Sequence, residues 1–78
     1  MPTVERAGPY RFFFFENAGR EPPHIHVERD ACLAKFWLRP VALASSIHFS
    51  SREIGRILRL VSERRDRFEE AWHEFFRP

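Results

Sequence analysis

Two short segments decide the fold of this chain: HIHVE at residues 24–28 and CLAKFWL at residues 32–38. Their β-branched and aromatic side chains favour strands. A two-residue turn at Asp30 and Ala31 would join them into an antiparallel hairpin, in which His26 pairs with Lys35. Because successive side chains of a strand point to opposite faces, this register separates the residues of both strands into two sets.

The two sets differ in chemical character. One face of the hairpin is apolar and carries Ile25, Val27, Ala34 and Phe36. The other face carries His24, His26, Glu28, Lys35 and Trp37. With a turn longer by one residue, the apolar residues of the two strands would no longer lie on the same face. We therefore predict that the first face is core and that the second is solvated or meets another molecule.

The preceding segment YRFFFF, residues 10–15, predicts a strand that is apolar on both faces. A strand with one wet face would alternate apolar and polar residues. Its second face, with Phe13 and Phe15, therefore requires cover from a second copy, a partner or the chain itself. Residues 2–6 and 41–44 could form two further short strands, and residues 45–48 are expected to be a connector.

A C-terminal helix begins with clear signals. Ser50 is a candidate N-cap, Glu53 lies three residues later, and Phe49 and Ile54 are spaced as a hydrophobic staple. Apolar residues continue in helical phase to Phe76. One helix over residues 51–76 would be roughly 39 Å long, against about 30 Å for a compact domain of this size. The helix should overhang or bend near residues 64–66.

These elements predict an α+β fold for a single domain, residues 1–78. An antiparallel sheet of three to four strands would pack one face on one long or split C-terminal helix. The chain has one cysteine, which excludes an internal disulfide and suits a reducing compartment. No apolar run reaches the roughly 18 residues of a membrane span, and the N-terminus lacks a signal-peptide pattern. We expect a cytoplasmic protein with no membrane association.

Several segments of the chain also resemble a known family. They are YRFFF at 10–14, REPPHIHVE at 20–28, AKFWL at 34–38, FS at 49–50, RDRF at 65–68 and AW at 71–72. They resemble the bacterial family called domain of unknown function 4160. The resemblance implies a short, stand-alone bacterial protein, often encoded beside a second small protein as in toxin–antitoxin pairs. It implies no established activity.

The polar face of the hairpin supports a catalytic hypothesis that needs no cofactor. His24 or His26 could act as general base on RNA, the other as acid. Lys35 and Arg20 would stabilise charge on the phosphate. Trp37 could stack a base. We expect such a protein to act on RNA or on an acidic partner.

Two alternatives remain. His24, His26 and Glu28 lie at alternate positions of one strand, which suits zinc, iron or manganese. His48 or Glu21 could supply a further ligand. A lysine across from His26 counts against this metal site. The other alternative is a non-enzymatic interaction module, a homodimer or the partner of a small cognate protein, since histidine and tryptophan are frequent in interfaces.

The arginine content adds a general argument about partners. Twelve of the thirteen basic residues are arginine, which favours phosphate and carboxylate ligands, although a GC-rich genome explains this equally well. Arg52, Arg56 and Arg59 share one side of the predicted helix. This row could follow a phosphate backbone, but such rows are more often solvated.

Overall fold

A computed structural model describes residues 3–77, which form five strands, a short 3-10 helix and two α-helices. The strands are β1 (Thr3–Ala7), β2 (Tyr10–Phe13), β3 (His24–Arg29), β4 (Cys32–Leu38) and β5 (Val41–Ile47). The 3-10 helix covers Ala18–Arg20, and the α-helices are α1 (Ser51–Glu63) and α2 (Arg65–Phe75). The strands pair in the order β1-β2-β3-β4-β5, each antiparallel to its neighbour. The α+β prediction is confirmed.

The predicted register of the central hairpin is confirmed. His24 pairs with Trp37, and Arg29 pairs with Cys32 at the turn. Asp30 has a φ of 54°, in the left-handed region that aspartate tolerates better than most side chains. This conformation lets two residues close the hairpin.

The predicted number of strands was too low, because three to four were expected and the described residues form five. Residues 45–47 were predicted to be a connector, but they continue β5 and pair with Leu33, Ala34 and Lys35 of β4. β5 lacks the alternation of a half-buried strand, so its sequence gave little indication of its length. Its strand conformation comes from pairing with β4.

The predicted core face of the hairpin is also confirmed. Ile25, Val27 and Phe36 are fully buried. Both helices pack on this face and contribute four buried apolar side chains: Ile57, Val61, Phe68 and Trp72. Complete burial of a side chain of this size stabilises the fold by about 1.5–3 kcal/mol.

The C-terminal helix is split, as its length suggested. α1 ends at Glu63 and α2 begins at Arg65, on either side of the junction residue Arg64. The guanidinium groups of Arg64 and Arg67 both bind the carboxylate of Glu5 on β1. The break therefore lies against the first strand. No helix within residues 3–77 is both long enough and apolar enough to cross a membrane.

The start of α1 is fixed to the end of the hairpin. The Ser50 hydroxyl accepts a hydrogen bond from the Glu53 backbone N–H at 3.1 Å, which confirms the predicted N-cap. The Glu53 carboxylate accepts hydrogen bonds from the Arg29 guanidinium at 2.7 and 2.8 Å. It also accepts one from the Tyr10 hydroxyl at 2.8 Å. These hydrogen bonds lower the pKa of Glu53 below its usual 4.5, and those from Arg29 have the largest effect.

Two glycines provide a matched test of packing. A Cβ at Gly19 would lie 2.7 Å from Cδ1 of Phe76, whereas a Cβ at Gly55 would meet no atom within 4 Å. We expect Gly19→Ala to lower the free energy of unfolding by about 1–3 kcal/mol, through overpacking. Gly55→Ala, inside α1, should raise it by about 0.5–1 kcal/mol. Chemical denaturation of both variants measures these changes, and an unchanged stability of Gly19→Ala would contradict the close contact.

Candidate functional site

The polar face of the hairpin belongs to the sheet face opposite the core face, and we call it the outer face. β2 and the residues after it contribute Arg11, Phe13 and Phe15 to this face, since Arg11 pairs with Glu28 and Phe13 with His26. The hairpin contributes His24, His26, Glu28, Leu33, Lys35 and Trp37. Phenylalanine rings therefore lie directly beside the histidines.

The two histidines are buried, contrary to the expectation of a solvated or partner-facing surface. His24 is 1% exposed and His26 is 9% exposed. Within the chain, the ring of Phe13 stacks on His26 at 5.5 Å between centroids, and Phe15 meets the same ring edge-on at 4.4 Å. Trp72 of α2 lies 4.9 Å from the ring of His24. Phe13 and Phe15, on the second face of β2 and the residues after it, are thus partly covered by other side chains of the same chain.

His24 has a defined tautomer. Its Nδ1 lies 2.9 Å from the carbonyl oxygen of Pro22. A carbonyl can only accept, so Nδ1 carries the hydrogen and, in the neutral ring, Nε2 has the lone pair. Burial lowers the pKa of His24 below its usual 6.5, although the hydrogen bond to Pro22 opposes this effect. His24 is therefore held neutral and fixed in orientation.

His26 is held more like an apolar ring than like a polar group. Burial is the main cause that lowers the pKa of His26 from its usual 6.5 to about 4, and electrostatic interactions with His24 and Lys35 act in the same direction. Its Nδ1 is the only buried side-chain nitrogen or oxygen in residues 3–77 that has no hydrogen-bond partner. A buried polar atom of this kind costs about 1–3 kcal/mol. The aromatic contacts must offset this cost.

Lys35 lies across from His26 but is already engaged by other groups. Its ammonium donates to the carboxylate of Glu21 and lies 4.5 Å from the ring centroid of Trp37. The hydrogen bond from Lys35 lowers the pKa of Glu21 below its usual 4.5. The lysine side chain is only 20% exposed. An anionic ligand would have to compete with Glu21 for this ammonium.

The remaining predicted site residues do not converge on the histidines. Glu28 accepts a hydrogen bond from Arg11 at 3.0 Å, and the Arg11 guanidinium lies 4.2 Å from the ring centroid of Phe13. Arg20 is exposed in the 3-10 helix, and no ion pair within residues 3–77 includes it.

The predicted metal ligands His24, His26 and Glu28 are not brought together as a site. Among the described residues, no group of three or more histidine, cysteine or acidic side chains could hold a metal ion. The Glu28 carboxylate is directed to Arg11 instead. The donor geometry therefore does not fit zinc or iron.

Sequence reasoning missed the contributions of Pro22, Phe13 and Trp72 to this site. Phe13 could have been found, since its strand was apolar on both faces and its second face required cover. The contact between Trp72 and His24 joins residues 48 positions apart. The helical phase of Trp72 predicted only a core or dimer contact. The carbonyl of Pro22 has no signal in the sequence.

Acid should unfold this protein partly through His26. In the unfolded chain a histidine binds a proton near pH 6.5, whereas the pKa of His26 in the folded chain is about 4. Between these values the unfolded state holds more protons, so the free energy of unfolding falls as the pH is lowered. Protonation of His26 alone should lower the free energy of unfolding by about 3 kcal/mol. Urea denaturation at pH 7 and at pH 4 measures it.

His26→Phe is the matched variant for this measurement. It keeps an aromatic ring among Phe13 and Phe15 while removing the titration and the unpaired Nδ1. We expect it to be at least as stable as the wild type at pH 7, and less sensitive to acid. His24→Phe, which loses the bond to Pro22, should instead be destabilised by about 1 kcal/mol at pH 7. Equal acid sensitivity of the wild type and His26→Phe would contradict this account.

A comparison with known proteins identifies the family. The model of a domain of unknown function, DUF4160, matches residues 10–73 of the 78-residue chain. This range includes β2 to β5, α1, most of α2 and every residue of the outer face that is named above. No curated protein and no solved structure matches the chain. The chain therefore belongs to the DUF4160 family.

Proposed function

We propose that this chain is a non-enzymatic binding module, one half of a two-protein pair of toxin–antitoxin type, whose outer face binds an acidic protein partner. The observation that carries this proposal is the burial of both imidazoles. A general base has to come within hydrogen-bond reach of the proton that it removes, directly or through one water. His24 and His26 lie beneath or between aromatic rings, where they support the face rather than react at it.

The half-buried layer of the outer face has the composition of a protein interface. Trp37, Phe15 and Arg11 are partly exposed and lie around the buried histidines. Tryptophan and arginine are enriched among the residues that dominate binding energy, particularly when rigid neighbours hold them. The contact between Trp37 and Lys35 provides such support.

The charge balance favours an acidic partner. Within residues 3–77, the exposed residues Arg6, Arg20, Arg52 and Arg59 take part in no ion pair. Many of the acidic side chains are paired, among them Glu5, Glu21, Glu28, Glu53 and Glu69. The net charge is +2. Complementary charge of this sign would accelerate association with an acidic protein.

A protein partner is favoured over RNA by the environment of Trp37. Single-stranded RNA is commonly recognised by stacking bases on open aromatic faces. The Lys35 ammonium lies over the ring of Trp37, and the ring of His24 lies 5.7 Å away, nearly perpendicular to it. A stacked base would therefore have to displace the Lys35 ammonium from the indole ring.

RNA cleavage by His24, His26 and Lys35 is the second candidate, because one observation favours it. The bond from Nδ1 of His24 to Pro22 orients the ring and leaves the lone pair on Nε2, which is the arrangement of an oriented general base. Lys35 pairs directly with His26 across the strands. This candidate requires the aromatic cover to open when substrate binds.

Co-expression with the product of the neighbouring gene tests the proposed function. We expect the two proteins to co-purify as a stable complex. Trp37→Ala should weaken binding by about 30-fold or more, which is about 2 kcal/mol, because tryptophan at an interface centre is a typical hot spot. Calorimetric titration measures the change. Glu70→Ala, an exposed position of α2 outside the outer face, should leave affinity unchanged.

The same preparations separate the two candidates. If the purified chain cleaves bulk or ribosome-bound RNA, and His26→Ala abolishes this activity while the protein stays folded, the catalytic candidate is correct. If no complex forms, or if Trp37→Ala binds as tightly as the wild type, the outer face is not the binding surface.

A further inference from the structure

β5 is an edge of the sheet and is unusually exposed. It is the last strand in the order, so within residues 3–77 only β4 pairs with it. Six of its seven residues are exposed, and Val41 is half-buried. The side of β5 away from β4 presents backbone N–H and C=O groups, which form a template for an additional strand.

The sequence of β5 carries none of the charges that usually discourage strand addition. VALASSI, residues 41–47, contains no charged residue, proline or glycine. The opposite edge, β1, is shorter and contains Glu5 and Arg6, and both Arg64 and Arg67 bind Glu5. β1 has one irregularity in its pairing, at Val4, and β5 has one at Ala44, so both edges contain a bulge. The two edges differ instead in charge and in length.

Apolar side chains lie exposed on both faces of β5. Leu43 pairs with Phe36 on the helix side of the sheet and is 43% exposed. Ile47 pairs with Leu33 on the outer face and is 53% exposed. α1, which packs beside β5, adds Leu58 at 36% exposure. A strand added at this edge would therefore find apolar neighbours above and below it.

We propose that β5 pairs antiparallel with β5 of a second copy of this chain, which joins two sheets across a two-fold axis. An uncharged strand that pairs with itself places no like charges opposite one another, in any register. The exposed leucine and isoleucine of each copy gain cover from the other copy. A strongly acidic or basic partner strand would find no ion pair on β5. The self-complementary occupant therefore fits this edge best.

The expected dimer is weak. A seam of two seven-residue strands lies at the small end of protein interfaces, below about 1,200 Å² of buried surface, where association is transient. Dissociation in the micromolar range is therefore expected. This proposal does not rest on the proposed function, because the edge of the sheet and the centre of the outer face are different surfaces.

Sedimentation equilibrium over a concentration series tests the dimer with the full chain. We expect the apparent mass of the wild type to rise from 9.4 kDa toward twice that value. Ala44→Lys should hold the protein at the monomer mass, because a two-fold axis near the strand centre brings the two lysines close together. Ala44→Ser keeps the strand neutral and should dimerise. Asn17→Lys adds the same charge in the loop before the 3-10 helix and should dimerise as well.

Amide hydrogen exchange provides the second measurement. In the wild type, exchange of residues 41–47 should slow with rising protein concentration, whereas exchange of β1 should not change. A monomer mass for the wild type at about 1 mM, well above the micromolar range expected for a small interface, would overturn the proposal. A dimer that persists in folded Ala44→Lys would overturn it as well, by placing the contact elsewhere.

Discussion

The pairing of β3 with β4 in one register is the constraint on which the other features depend. Side chains alternate along a strand, so a slip of one residue would exchange Ile25 and Val27 with His24 and His26. The core would then contain two imidazoles beneath α1 and α2, and the outer face would lose its polar residues. Asp30, by accepting a positive φ, limits the turn to two residues and so fixes this alignment. The positions of Lys35 and Trp37 follow from it.

The outer face shows how a sheet covered by helices on one side can bury its other side as well. The layer of this face next to the sheet contains the buried side chains of Phe13, His24 and His26. The upper layer contains side chains that stay partly exposed, such as Phe15 and Lys35. In this arrangement the imidazoles behave as aromatic packing units, and desolvation keeps them uncharged. The same burial leaves the side chains of the upper layer as the accessible part of this face.

Much of the fold could be predicted because its signals are local. The alternation of residues 24–38, the cap at Ser50 and the length of the apolar helical pattern each depend on neighbours in sequence. The burial of His24 depends on Trp72, and the full length of β5 depends on its ladder with β4; neither signal is local. The residues named as a candidate site lie on β3 and β4 in the predicted register for the same reason. The predicted solvated environment of these residues was wrong because rings from β2 and α2 cover the histidines. The apolar pattern of β2 indicated that Phe13 needed cover, but no spacing rule relates Trp72 to His24.

Lys35 is the only lysine in a chain with twelve arginines, and this has a practical consequence for chemistry at the outer face. Reagents that acylate primary amines distinguish lysine from arginine, so among side chains they have a single target here. Acylation of Lys35 removes its positive charge, and with it the attraction to Glu21 and to the ring of Trp37. The rate of that reaction measures how often the ammonium leaves both groups. The chain thus contains an intrinsic reporter of the opening of its outer face, placed directly across from His26.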